Sequence, residues 1–154
     1  MKFINNEVIK EDQHILSIRT KTTMTDLPTV IEESYSKIFD YLNELGEEPT
    51  DVPFTAYHSL DMDNLDVEMG FPVSKQLPGK DDIQEGIIPA GAQLTCTYKG
   101  PYSGMEDPYS EMFAWIKDNG YEATGVFYEY YYNSPGEVPE SELLTKIVIP
   151  LKSC

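Results

Sequence analysis

Basic residues are scarce: 11 lysines and arginines stand against 27 aspartates and glutamates, leaving a formal charge of -16 on 154 residues. A field of that sign repels phosphate backbones and anionic lipid headgroups while attracting cations, so neither direct nucleic-acid binding nor membrane attachment is expected. No run approaches the roughly 18 apolar residues of a membrane span, and the opening MKFINNEVIK lacks the apolar core of a secretion signal. The expected location is the cytoplasm. Cysteine is almost absent, with Cys96 in an apolar stretch and Cys154 at the end; their spacing fits neither a disulfide framework nor a zinc site. Histidine is equally rare. His14 and His58 lie far apart without an HExxH partner, and the chain has no GxSxG, no phosphate-cradling glycine loop and no Cys-His-Asn arrangement. The acidic run LDMDNLD at 60–66 has aspartate where a calcium loop needs glycine, Asp66, and proline where it needs the closing glutamate, Pro72, so it reads as a polar turn. No metal and no cofactor are expected.

What is present is a repeat. Residues 35–58 align without a gap onto 109–132, with Tyr35/Tyr109, Ser36/Ser110, Phe39/Phe113, Gly46/Gly120, Glu48/Glu122, Thr50/Thr124, Val52/Val126 and Tyr57/Tyr131 identical. Farther on, GFPV at 70–73 answers VIPL at 148–151. QHILSIRTKT (13–22) and AQLTCTYKG (92–100) alternate and are rich in β-branched residues, which predicts an opening strand for each copy. Ile31, Tyr35, Ile38, Phe39, Leu42 and Leu45 form one stripe of a helix that begins near Pro28 and stops before Gly46. Tyr109, Met112, Phe113 and Ile116 repeat the design, with Asp107 expected as N-cap, Pro108 as first helical residue and Gly120 beyond the end. Two strands follow each helix, at roughly 52–59 and 65–73 and at 125–132 and 142–151.

The expected fold is therefore α+β: one domain over 1–154 made of two strand-helix-strand-strand modules, about 13–75 and 92–152, related by a pseudo-twofold axis, with antiparallel sheet and two main helices flanking a central cleft. The Pro- and Gly-rich segment 76–91 reads as the linker.

The segment FYEYYY, 127–132, sets one carboxylate among five rings. Strand alternation puts Phe127, Glu129 and Tyr131 on one face, and a buried carboxylate is costly unless it is neutralised or paired. An entering cation would hold it ionised, and tyrosine faces would add cation–π attraction. The alternative reading ties Glu129 to solvent, a hydroxyl or Lys146. In the first copy Tyr57 matches Tyr131 but Thr55 stands in place of Glu129, so only one copy carries the acid.

KGPY at 99–102, AWIKDNGY at 114–121, EYYYNSPGEVPESELLTKIVIPL at 129–151 and DVEMGFPV at 66–73 together resemble the gyrase-inhibitor-like small-molecule-binding family, also found as the effector-binding domain of AraC-type and MerR-type bacterial regulators. Within that resemblance Glu129, Tyr131, Asn133, Ser134, Pro135, Pro139, Glu140 and Ile149-Pro150 match family positions, with Ser134 departing from the usual aspartate. The resemblance implies a tandem fold that binds lipophilic cations and other aromatics in the central cleft, with Glu129 as the acidic residue, Tyr131 beside it, and Tyr57, Tyr102 and Trp115 as wall, to which the strand alternation adds Phe127. With the first strand beginning within about a dozen residues, no DNA-binding segment is expected ahead of it. The resemblance also implies an alternative, hydrolysis of reactive cyclopropane-type alkylating compounds as in some relatives of that family, with Glu129 activating water, and the charge of -16 supports a third reading, an acidic surface that occupies a basic protein partner such as a topoisomerase.

Overall fold

The computed structural model describes residues 3–59, 61, 63–133 and 136–152; Ser134, Pro135 and Cys154 lie outside the described residues. Along the chain the elements are β1 (Phe3–Ile9), β2 (Gln13–Thr22), α1 (Leu27–Leu45), β3 (Phe54–Tyr57), β4 (Leu65–Pro72), β5 (Gln84–Ile88), β6 (Gly91–Lys99), α2 (Glu106–Asp118), β7 (Phe127–Tyr131) and β8 (Leu144–Pro150). They divide between two units, one comprising Glu11–Ala90 and the other Met1–Lys10 with Gly91–Cys154. Each unit is α+β, with four antiparallel strands and one long helix. No helix among the described residues is long and apolar enough to cross a membrane.

In the unit Glu11–Ala90 the strands run β3-β4-β2-β5. Alternation decides which side of β4 is buried: Leu65, Val67 and Met69 pack with Leu27 of α1 and, at their edge, with Val30, Ile31, Tyr35 and Tyr57. A second cluster joins Leu16 and Ile18 of β2, Phe71 of β4 and Ile38, Tyr41 and Leu42 of α1. The helix begins after Asp26 with Pro28 in its first turn, where a missing N–H costs nothing. It ends where Gly46 adopts φ 73°, letting Gly46 and Glu47 donate to the carbonyls of Asn43 and Leu42 at 3.1 and 2.9 Å.

Gly70 marks a close approach at the middle of β4. A Cβ there would lie 2.6 Å from the Leu16 carbonyl oxygen and 2.9 Å from Phe54 Cζ, and the carbonyl belongs to a paired strand that cannot swing aside. Gly70→Ala is expected to destabilise the fold by about 1–3 kcal/mol, read as a lower urea midpoint at unchanged slope.

In the other unit the order is β1-β6-β8-β7. Leu94 and Cys96 of β6, Met112 of α2 and Ile147 and Ile149 of β8 are fully buried, and α2 packs on β6.

Three expectations need correction. Residues 76–91 are not wholly linker: Lys80 and Ile83 exchange backbone hydrogen bonds at 2.9 Å, and the chain returns as β5 to pair with β2 from Gln13↔Ile88 to Ser17↔Gln84. The short run QEGII, with a glycine at its centre, hides this strand among turn residues. A further strand, β1, precedes the expected first one and pairs with β6 from Phe3↔Thr97 to Ile9↔Gly91. Asp107 is not the N-cap of α2, because a 3₁₀ turn over Tyr102–Gly104 runs almost directly into the helix and leaves Met105 at the cap position, with Glu106 and Asp107 in the first turn. Their charges there oppose the positive end of the helix dipole favourably.

Candidate functional site

β7 packs five aromatic or acidic side chains into five residues, and its pairing with β8 fixes which of them share a face. Glu129 lies opposite Ile147 and Tyr131 opposite Thr145. Facing them from α2 are Tyr109 and Phe113, four residues apart and therefore on one side of the helix.

The two oxygens of Glu129 are taken separately. Tyr109 donates its hydroxyl to Oε2 at 2.5 Å, and Tyr131 donates to Oε1 at 2.8 Å. Around this pair the rings form two groups that meet through Glu129. Phe127 meets Tyr109 edge-on at 6.3 Å and Phe113 at 5.6 Å; Tyr109 and Phe113 stack at 6.3 Å; Tyr102 meets Tyr131 edge-on at 6.0 Å. Tyr102 and Phe113 are 42% and 39% exposed, so this aromatic surface opens to solvent at its rim while Phe127 is buried beneath.

Glu129 as a residue is partly accessible, yet protein atoms crowd its carboxyl group. Burial pushes its pKa above the ordinary carboxylate range, and the hydroxyls of Tyr109 and Tyr131 pull it only part of the way back. Burial also raises the Tyr102 phenol, with the charge of Glu129 adding to the effect. A carboxylate so placed has lost much of its hydration without gaining a positive partner among the described residues, which leaves it energetically receptive to a cation.

Tyr102 owes its place to the segment between β6 and α2. The Tyr98 hydroxyl donates to the Pro101 carbonyl at 2.8 Å, and the Gly100 amide donates to the Leu143 carbonyl at 2.8 Å. A side chain at Gly104 would collide with the Tyr98 hydroxyl.

Of the residues expected at the site, Glu129, Tyr131, Phe127 and Tyr102 come together in this one unit. Trp115 instead stacks on Tyr121, rings 5.6 Å apart and 11° from parallel. Tyr57 packs at the edge of the Leu65, Val67, Met69 cluster in the unit Glu11–Ala90. Tyr109 and Phe113, read from sequence only as helix stripe, are the additions. The aligned pair in the other unit is bonded in the same way, Tyr35 sharing a 2.8 Å hydrogen bond with Thr55.

A second half-buried carboxylate differs in kind. Glu68 meets Ser17 Oγ at 2.5 Å and His58 Nε2 at 2.9 Å; burial alone would raise its pKa, but these hydrogen bonds outweigh it and hold the group below the usual range. Beside it Arg19 clasps Asp66 through two hydrogen bonds of 2.9 and 2.8 Å. Glu68 is thus satisfied within the fold. Among the described residues no group of three or more histidine, cysteine, aspartate or glutamate side chains is placed to hold a metal ion.

Comparison with solved structures gives the fold. EcmrR in its DNA-bound cryo-EM complex superposes with a TM-score of 0.80 at 22% identity over 100% of this chain, which spans 58% of that one. The crystal structure of the EcmrR C-terminal domain gives 0.71 at 22% identity, covering 100% of this chain and 98% of that one. SAV2435 bound to tetraphenylphosphonium gives 0.64 at 9% identity, with 99% and 94% covered, and a hydrolase from Listeria innocua gives 0.72 at 12%, with 97% and 91% covered. No curated protein matches the chain. The profile of the GyrI-like small molecule binding domain matches residues 7–152. The chain therefore belongs to the GyrI-like small-molecule-binding family.

Proposed function

We propose that this protein binds lipophilic aromatic cations, with Glu129 as counter-ion and Tyr102, Tyr109, Phe113, Phe127 and Tyr131 as the surrounding rings. One observation carries the reading: a carboxyl group crowded by protein atoms is held by two tyrosine hydroxyls at 2.5 and 2.8 Å, and neither of those partners is a cation. A delocalised cation suits such a group better than a hydrated one, because it gives up little solvation on entry and gains about 0.5–2 kcal/mol per tyrosine face. The ligand named for SAV2435, tetraphenylphosphonium, has that chemistry. We further read the two units as copies of one module, of which one acquired the acid. Support comes from the aligned pairs Tyr35–Thr55 and Tyr109–Glu129, which form the same kind of hydrogen bond in each unit.

Thermal unfolding tests the proposal. Tetraphenylphosphonium at 100 times its dissociation constant is expected to add about 2.7 kcal/mol, or a rise of about 5–10 °C, while neutral triphenylphosphine oxide at the same concentration adds little. Equal shifts with both compounds would remove the charge from the explanation.

A second reading, hydrolysis of an electrophilic aromatic compound, is favoured by the same raised carboxyl, which could take a proton from water, and by the likeness to the Listeria hydrolase. Product formation lost in Glu129→Gln would distinguish turnover from binding.

A further inference from the structure

Among the described residues, Thr145 is the one whose buried side chain the fold leaves without a hydrogen-bond partner. Its Oγ1 is fully buried and finds no hydrogen-bond partner among the described protein atoms. Leaving a buried hydroxyl unpaired costs free energy that valine, of nearly the same shape, would avoid. In a strand otherwise reading LTKIVIP, valine would also be the better strand former.

Position explains what the hydroxyl is near. Thr145 lies directly across β8 from Tyr131 on one side and from Tyr98 of β6 on the other, so the three side chains share the face that carries Glu129. Neither neighbour serves it: the Tyr131 hydroxyl donates to Glu129 and the Tyr98 hydroxyl donates to the Pro101 carbonyl. Glu129 pairs with Ile147, which makes Thr145 its diagonal neighbour, about 7–8 Å away between backbones. Tyr102, 42% exposed and edge-on to Tyr131, is the ring at the solvent rim of this row.

We infer that Thr145 is a specificity-determining residue of the ligand site, reading a hydroxyl, carbonyl or amide that the ligand carries one aromatic ring away from its positive centre. The inference rests on the proposed cation site and narrows its ligand from any lipophilic cation to an aromatic cation bearing a hydrogen-bonding substituent. A phenyl ring with a para substituent spans the diagonal, placing charge at Glu129 and the polar atom at Thr145. Thr145 has no exposed surface in the unliganded fold, so a ligand reaches it only when a side chain packed over it gives way.

Two matched probes test this, tetraphenylphosphonium and (4-hydroxyphenyl)triphenylphosphonium, titrated against wild type and Thr145→Val. The expected result is that the hydroxylated probe binds wild type about 5- to 20-fold more tightly than the parent, that Thr145→Val removes this preference, and that affinity for the parent changes less than twofold. Equal affinities for both probes in wild type, or a preference that survives in Thr145→Val, would overturn the inference while leaving the cation site intact. Failure of both probes to bind wild type would instead sink the cation site itself and the inference with it. Thermal unfolding without ligand supplies an independent arm: Thr145→Val is expected to melt at or above the wild-type temperature. A lower melting temperature would mean the hydroxyl is paired within the fold, and would also overturn the inference.

Discussion

Replacing Glu129 by glutamine is expected to weaken tetraphenylphosphonium binding by about 10- to 100-fold and to leave triphenylphosphine oxide almost unaffected. Glutamine keeps the size of the side chain and one acceptor oxygen, so one of the two tyrosine hydroxyls still donates while the other turns to accept from the amide, and the charge disappears. The substitution separates electrostatics from shape. It should also raise the unfolding temperature of the free protein. Burial disfavours the ionised form of Glu129 and raises its pKa, so the fold loses stability as pH rises above the unfolded value, a loss that glutamine, which does not titrate, avoids. A variant that is more stable and binds less well would fit a site where stability is traded for function. Equal loss for the charged and neutral ligands, or a fall in stability, would instead make Glu129 a packing residue.

Tyr109→Phe should produce a stability loss that depends on pH. Its hydroxyl supplies the shorter of the two hydrogen bonds to Glu129 and pulls the carboxyl pKa down against burial. Without that donor the ionised carboxylate loses a charge-assisted bond valued at about 1.5–3 kcal/mol, and the pKa climbs further. For an acid whose folded pKa exceeds its unfolded value, stability is greatest at pH below the unfolded value and declines as pH rises toward the folded one. Raising the folded pKa extends that decline to higher pH. Wild type and Tyr109→Phe should therefore differ least in acid, where Glu129 is protonated in both, and most at pH 8. Urea unfolding at pH 4 and pH 8 reads the difference directly. A deficit of the same size at both values would show that the hydroxyl acts without reference to the charge.

The acid among the rings was legible because period-two alternation and burial cost both operate within six consecutive residues, 127–132. Tyr109 was harder to place. It lies 20 residues from Glu129 in sequence, and its reach depends on how α2 docks, which no local pattern encodes. Trp115 shows the converse: helical spacing put it at the margin of the stripe, and the nearby Tyr121, reached after the helix turns at Gly120, offers its ring a stacking surface instead. Strand boundaries at 13–22 and 65–72 followed alternation closely. β1 and β5 did not: each is held by pairing along one partner strand, β6 or β2, in sequences broken by Asn5-Asn6 or Gly86. The orphaned hydroxyl of Thr145 could not be foreseen at all, since threonine is an ordinary strand residue until every neighbour's hydrogen bonds are known.

The most direct test is carbon NMR of the Glu129 side-chain carboxyl, assigned by its absence in Glu129→Gln and followed during a titration with tetraphenylphosphonium in mildly acidic buffer. A cation seated against the carboxylate must lower its pKa, so the resonance should move to the ionised position as ligand is added, with proton release to the buffer. A carboxyl signal that stays fixed while tetraphenylphosphonium saturates the protein would place the ligand elsewhere and contradict the account.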